Sequence, residues 1–273
     1  MTSFIKKNKT AFISAIIIAA LVLIAVAANF ISPFDPLRIN LDQLRLPPSW
    51  SHWMGTDNMG RDVFSRVIFG ARVSLLVGLI ASAVSMVIGI VVGTVGGYVG
   101  GLWDSAMTAL TDMVMAFPSL LLAIGITVVL PPGIYTVMLA LSLVGWASFA
   151  RLSRGMVLSM KEQQFVEAAR ASGSGPLRIM FRHILPNCLP LIIVAGSLKV
   201  GSFILAESAL SFLGLGAQPP TPTWGSMVSL SRNYILSAPW TVVFPGAAIA
   251  VTVLSFNILG DSLRDWLDPK LKI

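Results

Sequence analysis

Residues Val73–Tyr98 read VSLLVGLIASAVSMVIGIVVGTVGGY, a run with no acidic or basic side chain. A helix needs about 20 residues to cross the hydrocarbon core of a bilayer, so this run is long enough to span one. Its apolarity is continuous, whereas a barrel strand alternates between lipid-facing and lumen-facing residues. Working outward, five more stretches read the same way: Ala11–Phe30, Met107–Leu130, Tyr135–Ala150, Leu189–Phe212 and Trp240–Gly260. The fold class expected is an all-α integral membrane protein with six transmembrane helices. A chain that is 55% hydrophobic and 11% charged has too little polar surface for a soluble domain of this length.

The sequence pI near 10.0 would suggest nucleic acid for a soluble protein. Here topology accounts for it. With the N-terminus inside, twelve of the nineteen Lys and Arg fall on cytoplasmic segments, six fall outside, and Lys199 lies within a span. That asymmetry follows the positive-inside rule. It predicts both termini in the cytoplasm and residues 31–72 outside, with the lipid bilayer and no nucleic acid as neighbour. The basic flank Lys6, Lys7 and Lys9 precedes an apolar run longer than a signal-peptide core, so the first span is expected to stay uncleaved. The division expected is 1–72 for the first span and external loop, 73–263 for the transmembrane core, and 264–273 for a cytoplasmic tail. Asp62 is the expected N-cap of a short interfacial helix leading into the second span. Gly89, Gly93, Gly96 and Gly97 are spaced for close helix packing.

Within the core, residues 151–189 form a long polar interruption. Gly155–Ala171 reads as helix, and Ala168, Ala169 and Ala171 leave its surface nearly bare. Gly173-Ser174-Gly175 breaks it, and Pro176 suits the first turn of a second helix. There Leu177, Met180, Phe181 and Ile184 recur at i, i+3, i+4 and i+7, with Arg178 and Arg182 on another side. Pro186 and Pro190 are expected to close the segment. On the residues alone two readings stand: a basic amphipathic surface on lipid headgroups, or a docking site for a protein, which the small-residue face and Glu167 favour.

Glu167-Ala168-Ala169, Gly173 and then His183-Ile184-Leu185-Pro186 resemble the EAA motif of permease subunits in binding-protein-dependent ABC importers. Three further stretches resemble the dipeptide/oligopeptide/nickel branch. They are Gly55-Thr56-Asp57 with Gly60-Arg61-Asp62 and Ser65-Arg66; Leu210 to Gly216 with Gln218-Pro219-Pro220 and Trp224-Gly225; and Asn257 to Asp261 with Leu263-Arg264-Asp265 and Asp268-Pro269. Two departures are visible: His183 where Ile is common, and Ala109 where a basic residue three positions before Asp112 is expected. The resemblance implies a type I ABC importer permease fold in a bacterial inner membrane. It also implies a coupling helix made by Glu167, Ala168, Ala169, Gly173, Leu177, Phe181, Leu185 and Pro186. Implied partners are a sibling permease, two ATP-binding subunits, an external solute-binding protein and a peptide substrate, with nickel or another small solute as the alternative. ATP and Mg would sit on the partner subunits, with no cofactor in this chain.

Asp112, Lys199 and Glu207 fall within the expected spans. A charge near the bilayer centre costs at least about 2.5 kcal/mol, so such groups should face protein or water. They are candidates for the translocation path, Lys199 and Glu207 on a shared face eight residues apart, with a buried structural role as the other reading of Glu207. No enzyme chemistry is legible. The chain has no Gly-Lys pair and so no P-loop, and His52 and His183 are expected on opposite sides of the membrane, which leaves no metal set. A self-sufficient secondary transporter or channel is the remaining class. It fits poorly with so few ionisable groups in the membrane and so large a polar loop.

Overall fold

The computed structural model describes residues 9–267. The basic flank Lys6–Lys7 and the tail from Asp268 onward, both used in the topology expectation, lie outside the described residues. Helix α1 (Lys9–Val26) is peripheral: only 17% of it is covered by the rest of the chain. A single turn at Ala28–Ile31 ends it. Arg72 reaches across to this end, its Nε and Nη2 donating to the Ala25 and Val26 carbonyls at 3.0 and 3.1 Å. A cation on orphaned C-terminal carbonyls is where the helix dipole favours it.

Residues 32–62 form an irregular strap. It delivers Asp62 to the start of α2 (Val63–Val99), where Asp62 Oδ2 accepts the Ser65 N–H at 2.8 Å, the cap expected from the sequence. No separate interfacial helix precedes the span. The 37 residues run as one helix through positions 72 and 73, about 55 Å at 1.5 Å per residue.

Gly100 and Gly101, both at positive φ, turn the chain into α3 (Gly101–Met115). Helix α4 (Ser119–Val129) follows at 86° to it. The stretch Met107–Leu130, expected as one straight span, is therefore broken at its middle. The cause is Pro118, which disfavours helical geometry at Phe117 and cannot donate into the preceding turn.

Helix α5 (Ile134–Met160) is the central element, 61% covered. It packs along α2 through the small residues singled out above. A Cβ on Gly89 or Gly93 would overlap Phe149 Cβ or the Ala150 carbonyl, and one on Gly97 would stand 3.1 Å from the Arg154 carbonyl. Gly96 faces α3 instead, at ordinary contact distance. After α5 come α6 (Gln164–Ala171), α7 (Pro176–Phe212), α8 (Trp224–Ser231) and α9 (Trp240–Leu267). Five of these helices (α1, α2, α5, α7, α9) are long and apolar enough to cross a membrane, and α3 with α4 makes a sixth if counted as one bent span. Among the described residues there is no strand, only an isolated bridge between Thr56 and Asp62.

The two ends of the bundle differ. At the strap end, Gly70 of α2 lies against Trp224, whose Nε1 donates to the Val67 carbonyl at 2.9 Å. At the loop end, the last turns of α2 and α5 meet near Gly97 and Val157, beside residues 161–175.

Candidate coupling corner

Helix α5 stops at Met160, and an extended Gln163 redirects the chain into α6. Val166 and Ala169, three apart, turn inward and pack with Phe149, Val157, Ile179, Ile184, Cys188 and Ile192. This burial holds the short helix against the ends of the long ones. Its other side shows Phe165, Glu167, Ala168 and Arg170 to solvent. Ala169 was expected in the bare outward face and lies instead in the core at 8% exposure. The reason is helical geometry: Ala168 and Ala169 are 100° apart, so one small residue lets α6 approach the bundle and the other faces out.

The exit from α6 is a Schellman stop. Ser174 N–H donates to the Ala169 carbonyl at 3.0 Å and Gly173 N–H to the Arg170 carbonyl at 2.9 Å, with Gly173 at φ +76°. Nothing lies within 4 Å of a Cβ built on Gly173, so backbone conformation and not crowding within the chain demands glycine here. Pro176 then opens α7, as expected.

The first turns of α7 depart from the expected stripe. Met180 and Ile184 are buried, but Leu177 and Phe181 are 68% and 59% exposed. A π-helical turn over Ile179–Ile184 inserts an extra residue per turn, and the i, i+3, i+4, i+7 set no longer shares one side. Pro186 and Pro190 do not close the segment either. They ride inside one continuous helix, Pro186 in its first α turn after the π stretch, and Asn187 Nδ2 donates to the His183 carbonyl at 2.6 Å. Pro186 is exposed and Leu185 half-buried. The corner therefore presents Leu177, Phe181 and Phe165 as exposed apolar knobs among Glu167, Arg170, Arg178 and Arg182, on a base that its own core keeps rigid.

Residues 62–273 match the model of the binding-protein-dependent transport system inner membrane component, and residues 4–48 match the N-terminal TM domain of oligopeptide transport permease C. The chain belongs to this permease family. It is 46% identical to the dipeptide transport system permease protein DppC of Alkalihalophilus pseudofirmus, over 98% of this chain and 88% of that one. It is 45% identical to the glutathione transport system permease protein GsiD of Shigella flexneri, with the same coverage. The inward-facing MetNI methionine ABC transporter shares its fold: the TM-score is 0.61 at 17% identity, over 74% of this chain and 97% of that one.

The permease thus has the multi-pass ABC importer fold that its motifs implied, and its remaining charges can be placed on it. Asp112 is exposed and pairs with Arg151 of α5, while Asp104 takes a two-pronged pair from Arg154, Nε–Oδ1 at 2.5 Å and Nη2–Oδ2 at 2.7 Å. The basic partner missing at Ala109 is supplied across the helix interface. Two Arg three apart on α5 and two Asp eight apart on α3 carry that signal in the sequence.

Glu207 is 1% exposed. Ser211 Oγ donates to its Oε1 at 2.7 Å, and Ser74 Oγ of α2 to its Oε2 at 3.3 Å. It does not share a face with Lys199. Eight residues turn about 80° beyond two full turns, so Glu207 enters the α2 interface while Lys199 stays half-exposed over the Phe203 ring.

The strap holds a buried polar knot; the family pattern covered its Asp57, Arg61, Asp62 and Arg66, of which only Asp62 had a role assigned from the sequence, as an N-cap. His52 Nδ1 and Asp62 Oδ1 are 2.8 Å apart, Arg61 Nε donates to Asp57 Oδ2 at 2.7 Å, and Arg66 Nη1 donates to the Pro36 carbonyl at 2.9 Å. Trp240 Nε1 ties the knot to α9 through the Thr56 carbonyl at 3.1 Å. Apart from Arg61 and Asp57, four apart, these partners stand 10 to 184 positions from one another and leave no periodic trace.

Proposed function

We propose that this permease imports short peptides as one subunit of a membrane complex, and that the α6–α7 corner is where an ATP-hydrolysing subunit docks. The reading includes a sibling permease, two ATP-binding subunits that hold ATP and Mg, and an external solute-binding protein. The corner carries it: exposed Leu177 and Phe181 project from a helix that continues into the membrane. Exposed apolar side chains ringed by charge are the common chemistry of a docking anchor. The substrate class rests on the dipeptide and glutathione permeases to which the chain is similar. Eight described basic residues, Lys9, Arg151, Arg154, Lys161, Arg170, Arg178, Arg182 and Arg264, lie on the loop-end segments; by the positive-inside rule the loop end is assigned to the cytoplasm, with both termini, and the strap end to the outside. Within this scheme Glu207 fixes α7 to α2 and Asp112 fixes α3 to α5, and neither touches solute.

The test is charge at the knobs. Leu177→Glu with Phe181→Glu alters two side chains that the fold does not bury, so the subunit should insert normally. Loss of an anchor pair at about 2 kcal/mol or more each should release the ATPases on purification, or leave ATP hydrolysis without uptake. Gly173→Leu should act in the same direction, since a non-glycine residue in left-handed geometry costs about 1–2 kcal/mol and would reorient the corner. Full ATP-driven uptake by the double variant would refute the docking role. On a lipid-facing surface the two acids would leave ATPase association unchanged.

A further inference from the structure

We infer that Lys199 is a counter-charge for the solute inside the membrane, engaging the terminal carboxylate of a peptide in transit. The inference rests on the peptide reading above and extends it to one side chain.

Depth is the first observation. One turn before Lys199, the Gly196 carbonyl accepts Ser82 Oγ at 3.0 Å, and two residues after it Gly201 faces Val253 and Asn257. Ser82 lies at the middle of α2 and Val253 at the middle of α9, so Lys199 sits near mid-depth of the bundle. The hydrocarbon core is about 30 Å thick, and a lysine stem at its middle is too short to carry the ammonium to either surface.

The second observation is the missing partner. Among the described residues no carboxylate lies within ion-pair distance of Lys199. Glu207, the one acid on the same stretch of α7, is spent on Ser74 and Ser211. Among the described residues the ammonium rests over the Phe203 ring, 5.4 Å from Nζ to centroid.

Third is what surrounds it. Lys199 shares the incompletely covered side of α7 with Ser202 and the small Ala195 and Ala206. A lone cation at this depth is too costly to face lipid and is retained where it meets water or an anion. Every peptide with an unblocked C-terminus carries a carboxylate, and an ammonium in a low-dielectric passage binds one strongly enough to hold it in register yet without a fixed geometry that would trap it.

The experiment uses the complete importer in proteoliposomes, with its own solute-binding protein and ATPases. The probes are the dipeptide Ala-Ala and its C-terminal amide. Lys199→Met keeps the length of the side chain and removes the charge; Lys199→Arg keeps the charge. Expected is a roughly tenfold loss of Ala-Ala uptake with Lys199→Met, near-normal uptake with Lys199→Arg, and amide uptake equal in all three. Equal uptake of Ala-Ala by Lys199→Met and the parent would overturn the inference while leaving peptide import intact. So would an equal loss for both probes, or a Lys199→Met complex that sheds its sibling permease, which would make the lysine a subunit contact. Failure of the parent to take up Ala-Ala would instead sink the peptide reading, and this inference with it.

Discussion

Glu207 shows what a single buried side chain can do in this bundle. Its carboxyl gathers Ser74 and Ser211 into one polar cluster, with Ser208 Oγ a further 3.5 Å from Oε2. Removing it would leave hydroxyls without partners, at about 1–3 kcal/mol for each buried orphan. Glu207→Ala should therefore lower the thermal midpoint of the purified complex clearly, and Glu207→Gln, which keeps the size and one acceptor, much less. Equal midpoints for Ala and parent would show that the cluster contributes nothing. The identity of such partners is hard to read in a sequence, because Ser74 stands 133 positions from Glu207. Asp62 is the opposite case. An N-cap bonds only three residues ahead, so an acid before an apolar helical run could be read directly.

Among the elements, legibility followed the same divide between local and distant causes. Continuous apolar runs announced α1, α2, α5, α7 and α9, because each must hide its own backbone polar groups in lipid. The 86° break at Pro118 was locally encoded too, but hydropathy is blind to direction and counted the two arms as one. At the corner, an assumed period of 3.6 placed Leu177 and Phe181 with Met180 and Ile184; the π turn moved them apart and left the first two exposed. The α2–α5 contact offers the sharpest element-scale test. Gly93→Ala would force Cβ into the Ala150 carbonyl, which as backbone cannot give way cheaply, while Gly125→Ala in α4 meets nothing within 4 Å. The first should lower the fraction of monodisperse complex and its thermal midpoint. The second should be neutral or slightly stabilising, since Ala exceeds Gly in helix propensity by about 1 kcal/mol. Equal behaviour of the two would mean that α2 and α5 do not pack this closely.

For the whole molecule, what remained illegible is which uncovered surfaces meet lipid and which meet another subunit, since both are apolar. Orientation can be measured directly. Cysteines introduced at the exposed Ser51 and Ala171, with the buried Cys188 changed to Ser, should react with an impermeant thiol reagent from opposite sides of sealed vesicles. Reaction from one side for both would end the six-span topology. The unbroken course of α7 adds a mechanical consequence. Its 37 residues reach from Pro176 at the corner to Phe212, whose carbonyl accepts Ser229 Oγ of α8, about 55 Å. It is moored near the middle by the Gly196–Ser82 contact and farther along by Glu207 on Ser74. A rod held near its midpoint behaves as a lever. A push of a few ångströms at Leu177 would swing the far arm by a similar amount in the opposite sense. Pro190, just short of the fulcrum, cannot donate into the preceding turn, so the rod would yield there before it yields elsewhere.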